Sequence, residues 1–141
     1  MRTEHRSFPD ADLASGPLEI ADLPWQLTDT ELTVALNGAR KLALTIRGQP
    51  LTYDTASATL ELTGSPAKAI VQPVDGKLKL RILIDRCSID VCAQNGRVFL
   101  MHVFQPDWTM PVLAATAEDG RAVISDVRMH RLKSVWKSEA K

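Results

Sequence analysis

The stretch that decides the fold reads Leu78-Lys79-Leu80-Arg81-Ile82-Leu83-Ile84-Asp85-Arg86-Cys87-Ser88-Ile89-Asp90-Val91-Cys92-Ala93-Gln94-Asn95-Gly96. Leu78, Leu80, Ile82 and Ile84 recur at every second position, with Lys79 and Arg81 between them. Beyond Asp85-Arg86-Cys87, Ile89 and Val91 alternate with Ser88 and Asp90. An apolar period of two places one side of a strand in a core and the other outside. The stretch ends in Asn95-Gly96, a pair that accepts the positive φ values a tight reversal demands. Residues 97–104 then resume the apolar pattern.

The same grammar extends outward. Asn37-Gly38, Asp75-Gly76 and Asp119-Gly120 also lie between apolar flanks, so all four pairs read as hairpin signals. Leu32, Val34 and Leu36 precede the first pair; Leu42, Leu44 and Ile46 follow it. Leu60 and Leu62 mark a short strand after Tyr53, and residues 112–117 read as another. The last strand, from Arg121, has Val123, Val127 and Met129 on one face and Ile124 on the other. No stretch keeps a helical period over three turns. About ten short strands predict an all-β chain, an antiparallel two-sheet β-sandwich of concanavalin-like or jelly-roll type. Residues 1–17, with Pro9, Gly16 and Pro17, read as a linker or edge segment, and residues 18–141 as the sandwich domain.

One strand is apolar on both sides. Phe99, Met101 and Val103 oppose Val98, Leu100 and Phe104, and Leu83 opposes the main apolar row of its own strand. Half-buried antiparallel strands keep a polar outer face. Two readings follow: a central strand under a covering loop, or an outer face that docks on another domain.

Composition narrows the function. Seventeen Lys+Arg balance seventeen Asp+Glu, so the clustered cations that bind nucleic acid are not expected. No apolar run approaches the roughly 20 residues of a membrane helix. Residues 1–5 lack the apolar run of a signal peptide, so none is expected in this chain, and the compartment stays unknown. Cys87 and Cys92, five apart on a strand, would be about 16 Å apart and on opposite faces, too far for a disulfide. Both read as free thiols packed as small hydrophobes.

Catalytic constellations are sparse. Asp85 and Asp90 would face opposite ways on a continuous strand, unless a loop at Arg86-Cys87 intervenes; a retaining glycosidase needs carboxyls about 5 Å apart. Asp85 reads as a turn cap and Asp90 as a satisfied surface charge. Ser88, His102 and Asp90 could be imagined as a triad, but no G-x-S-x-G turn accompanies them. P-loop, dinucleotide, H-E-x-x-H and EF-hand patterns are absent. His5, His102 and His130 are scattered, and neither metal nor other cofactor is expected. Sugar binding would need exposed rings: Trp25, Trp108, Trp136 and Tyr53 are the candidates, in a chain only 5% aromatic.

Residues 78–96, the following strand and Pro106 resemble the C-terminal β-sandwich domain of glycoside hydrolase family 32, the fructan hydrolases (invertases, levanases, inulinases). Members typically read L-x-L-x-I-F-V-D-R-S-S-V-E-V-F-x-N-D-G there. Residues 42–47 and 51–54 resemble the family's "L-x-L-R … I-x-Y-D" strands, and residues 127–136 its closing strand, so the likeness spans residues 18–136. Asp90 stands where the family has Glu, and Cys92 where it has an aromatic. In that family the chemistry belongs to an N-terminal five-bladed propeller with N-D-P, R-D-P and E-C motifs. This chain has no Asp-Pro and no Glu-Cys pair, so no catalytic residue carries over. The resemblance implies a non-catalytic accessory domain that packs on and stabilises a catalytic propeller absent from this chain. Interdomain contact is expected at Leu83, Asp90, Cys92, Phe99 and Met101. Two alternatives are a fructan- or carbohydrate-binding module using Trp25, Trp108 and Trp136, and a homo-oligomerisation module built on the apolar face.

Overall fold

The computed structural model describes residues 2–20, 27–64, 66 and 68–132. The period-two segments become strands, and β1, β2 and β8 form outside them: β1 (Arg2–Phe8), β2 (Ala11–Asp12), β3 (Leu18–Ile20), β4 (Thr28–Ala35), β5 (Lys41–Ile46), β6 (Gln49–Asp54), β7 (Thr59–Leu62), β8 (Lys68–Ile70), β9 (Lys77–Ile84), β10 (Ser88–Ala93), β11 (Val98–Val103), β12 (Leu113–Glu118) and β13 (Val123–Leu132). They form two antiparallel sheets. Sheet I runs β1-β13-β4-β9-β10-β11, with β2 also on β13; sheet II runs β3-β12-β5-β6-β7-β8. The β-sandwich expected from the sequence is the fold observed.

The alternating rows fill the space between the sheets. Leu78, Leu80, Ile82 and Ile84 of sheet I are buried, as are Leu42, Leu44, Leu51, Leu60 and Leu62 of sheet II. Each such side chain contributes about 1.5–3 kcal/mol by leaving water. Tyr53 is wholly buried among them, and its hydroxyl donates to the Val71 carbonyl at 2.7 Å. It is core, so it is not a sugar platform.

Of the four turn pairs read as hairpins, one joins neighbours in a sheet: Asn95-Gly96, between β10 and β11. Asn37-Gly38 leads from β4 in sheet I to β5 in sheet II, and Asp119-Gly120 returns from β12 to β13. Asp75-Gly76 makes a tight reversal closed by the Val74–Lys77 bridge, where the chain passes from β8 to β9. A positive-φ pair reports a local reversal; whether the next strand lies alongside or across the core depends on partners far away in sequence. The two crossover turns of β4–β5 and β12–β13 lie against each other. Asn37 Nδ2 donates to the Arg121 carbonyl at 3.1 Å, the Arg121 amide donates to the Asn37 carbonyl at 3.2 Å, and Arg40 pairs with Glu118 and Asp119 at 3.2 Å each. The β5–β6 hairpin turns on Arg47-Gly48, at φ 48° and 87°. An Arg in that conformation gave no compositional signal.

The strand that is apolar on both sides, β11, is an outermost strand of sheet I, not a central one under a loop. Phe99, Met101 and Val103 are 57, 59 and 71% exposed. Its only sheet neighbour among the described residues is β10, because the loop after it carries the chain to sheet II. Cys87 was expected to be packed; it is exposed in the turn between β9 and β10, while Cys92 is half-buried, and both are free thiols.

Candidate functional site

The outer face of sheet I gathers the chemistry. Strand register sets its rows: His130, Asp29, Leu83, Asp90 and Met101 lie opposite one another in turn across β13, β4, β9, β10 and β11. The adjacent row is Arg128, Glu31, Arg81, Cys92 and Phe99. Leu83, Asp90, Cys92, Phe99 and Met101, singled out in the sequence as contact residues, therefore sit together on one face near the β11 edge.

Asp90 departs from the satisfied surface charge expected of it. Its Oδ1 is buried and has no hydrogen-bond partner. Burial pushes its carboxyl above the ordinary range, and the charge of Asp85 adds to the rise. Asp85 does cap the turn: its Oδ1 accepts from the Arg86 amide at 2.6 Å. That turn interrupts the strand the two acids would have shared.

Beside the apolar strip the face becomes charged. Arg81 pairs with the buried carboxylate of Asp29, and Arg128 with Glu31 at 3.1 Å. The hydrogen bonds that Arg81 donates to the Asp29 carboxylate push its guanidinium pKa up. A groove of about 560 Å³ opens here. Sequence reading missed Asp29 and Glu31, since nothing local says which basic residue lies across from them. Their only signal is an acid at alternate positions of a strand whose other rows are Thr, Leu, Val and Ala.

Trp108 is partly exposed, but its ring is already engaged: the Arg47 guanidinium lies 5.6 Å from the ring centroid. Arg47 is itself buried, and Nη1 donates to the Trp108 and Met110 carbonyls at 3.3 and 2.8 Å. Burial lowers its pKa from the usual arginine value. In the same loop, Asp107 accepts from the Thr109 hydroxyl and amide at 2.5 and 3.0 Å, which holds its carboxyl below the ordinary range. Trp25 and Trp136 lie outside the described residues.

A Ser-His-Asp triad does not form. Ser88 and Asp90 share the outer face, whereas His102 stands opposite buried Ile89, on the inner side. No cluster of three metal-ligating side chains occurs among the described residues. A Ser–His contact does occur on β1, where Ser7 Oγ lies 3.3 Å from His5 Nε2 at the exposed edge.

Known proteins match this design. A levanase of Bacillus subtilis (strain 168) is 35% identical over 68 residues, covering 48% of this chain and 10% of that enzyme. A levanase of Bacillus sp. (strain L7) is 29% identical over 72 residues, covering 51% and 8%. The matched segment is thus about a tenth of these relatives' length. Among solved structures, the exo-inulinase of Aspergillus awamori superposes over 96% of this chain and 30% of its own, with TM-score 0.65 and 17% identity. A fructofuranosidase of Schwanniomyces occidentalis complexed with fructosylnystose superposes over 95% and 34%, with TM-score 0.68 and 11% identity. At those identities the two structures establish the β-sandwich. Residues 16–131 match the model described as "Glycosyl hydrolases family 32 C terminal", in agreement with the motif at residues 78–96, and the chain belongs to that family of C-terminal domains.

Proposed function

We propose that this chain is the non-catalytic accessory domain of a fructan- or sucrose-hydrolysing glycosidase. It packs on and stabilises a catalytic five-bladed propeller through the β10–β11 side of sheet I. One observation carries this reading: β11 is an edge strand of Val98-Phe99-Leu100-Met101-His102-Val103 with three exposed large apolar side chains. An open edge of this kind invites pairing or aggregation unless it is covered. The other edges are shorter or charged, although β8 also exposes Ile70. β3 and β8 are three residues long and carry Glu19 and Lys68, and β1 carries Arg6. Asp90, with its unbonded Oδ1 beside the apolar strip, offers an acceptor to a donor on the covering surface.

The test uses the purified chain and its cognate propeller, expressed separately. The chain alone releases no fructose from sucrose, levan or inulin, and its addition raises the propeller's melting temperature. Met101→Lys abolishes that rise without altering the chain's own melting temperature. Fructose release by the chain alone, or full stabilisation by the Met101→Lys variant, would overturn the reading. Self-association through β11 with no effect on the propeller would make it an oligomerisation module instead.

A further inference from the structure

The groove over the centre of sheet I borders the docking strip, sharing Cys92 with it but none of the exposed side chains Phe99, Met101 and Val103. We propose that it is a binding site for a neutral, polyhydroxylated chain, a short oligosaccharide, held by planar polar side chains instead of aromatic rings. The choice of a fructan as its ligand rests on the proposed function; the groove itself does not.

Charge balance comes first. Lys79, Arg81 and Arg128 line the groove together with Glu31 and Asp126, and Asp29 lies paired with Arg81. Three cations meet three anions. Such a surface has no surplus to hold a phosphate or a metal ion, since either needs a net field of opposite sign. It presents donors and acceptors side by side, which is what sugar hydroxyls, each donor and acceptor at once, require.

Preorganisation is the second argument. Arg81 spends Nε and Nη2 on Asp29, at 2.9 and 2.7 Å, and this leaves Nη1 as a donor on a guanidinium held in place. Arg128 likewise orients the Glu31 carboxylate through a 3.1 Å contact. Planar groups fixed in this way can engage neighbouring hydroxyls without freezing new rotamers, and that freezing is the main cost of binding with long side chains. The third argument is the wall. The β13–β4 register slips between Ser125 and Arg128, and Asp126 takes φ 53° at that bulge. Bulges re-aim side chains, and this one contributes Asp126 to a groove lining that also includes Asn95 and Gly96.

The experiment is an amide proton–nitrogen NMR titration of the 141-residue chain with inulin-type and levan-type fructo-oligosaccharides in the millimolar range. Inorganic phosphate serves as the anionic control. Saturable shifts are expected at Glu31, Thr33, Lys79, Arg81, Cys92 and Asn95 with at least one oligosaccharide, and none with phosphate. The double variant Lys79→Met, Asp126→Gly removes a cation and an anion, and glycine suits the positive φ at position 126. It is expected to weaken binding about fivefold or more at an unchanged melting temperature. A flat titration, shifts centred on Trp108, displacement by phosphate, or wild-type affinity in the double variant would each overturn the proposal. Met101→Lys leaves the groove intact, so that variant separates failure of docking from failure of sugar binding.

Discussion

Arg81 and Asp29 lie 52 residues apart in the chain and grip each other with two prongs, Nε to Oδ1 at 2.9 Å and Nη2 to Oδ2 at 2.7 Å. The pair is diagonal, because Arg81 stands in register with Glu31 while Asp29 stands opposite Leu83. It is also lopsided: the Asp29 side chain is 1% exposed and the Arg81 side chain 49%. A carboxylate removed from water depends on its partners far more than a half-solvated guanidinium does.

Arg81→Met is therefore expected to destabilise the fold by about 1–3 kcal/mol, less than a fully buried pair would lose, because water already screens the arginine. Urea unfolding checks it. Arg128→Met, which removes the more exposed partner of Glu31, is expected to cost about 0–1 kcal/mol. Equal losses in the two variants would contradict this account.

Gly120 is irreplaceable for a steric reason. A Cβ there would stand 2.3 Å from the Ala39 nitrogen and 2.4 Å from the Gly38 carbonyl carbon, both backbone atoms, at φ +64°. Gly120→Ala is expected to cost about 2–4 kcal/mol, by strain and by parting the two crossover turns. Gly64→Ala, with open space around its Cβ at φ +87°, is expected to cost about 1 kcal/mol. Thermal melts of the pair decide the point.

Asp90 sets a pH dependence. Its folded-state carboxyl titrates above the unfolded one, so between the two values the folded chain binds more protons and stability falls as pH rises. The full cost is present above the folded-state pKa. Asp90→Asn is expected to raise the melting temperature at pH 7, with the gain fading to nothing as pH drops below about 4, where the unfolded carboxyl is protonated too. A gain that does not vary with pH, or a loss at pH 7, would refute the account.

Arg47 clamps the loop after β11. The Asp107 amide donates to the Arg47 carbonyl at 3.0 Å, and Nη1 holds two further carbonyls of the same loop. Arg47→Asn keeps a residue type at home in positive φ but removes the clamp. Hydrogen exchange at Asp107 and Met110 is expected to accelerate, with a stability loss of about 1–3 kcal/mol. Unchanged protection at both amides would show that the loop holds itself.

The resemblance in residues 78–96 carried the family, and the alternation of Leu78, Leu80, Ile82 and Ile84 carried the sandwich. Leu83, Phe99 and Met101 were legible as misplaced apolar residues, since a strand's period exposes an exception. Asp90 was legible as a position but not as an unsatisfied one. Trp108 was legible as a loop tryptophan, while the arginine on its ring came from 61 residues earlier in the chain.

What the sequence alone determined was local: which segments alternate as strands, which face of each is apolar, and where the Asn-Gly and Asp-Gly pairs reverse the chain. These follow from side-chain alternation and from backbone freedom at Asn-Gly and Asp-Gly pairs, both properties of neighbours in the chain. The tertiary structure alone decided which reversals stay within a sheet, that β11 lies at an edge, and that Asp29 meets Arg81. Those outcomes depend on strand order and register, which are settled by burial of both sheets at once, and no short stretch of chain carries that information.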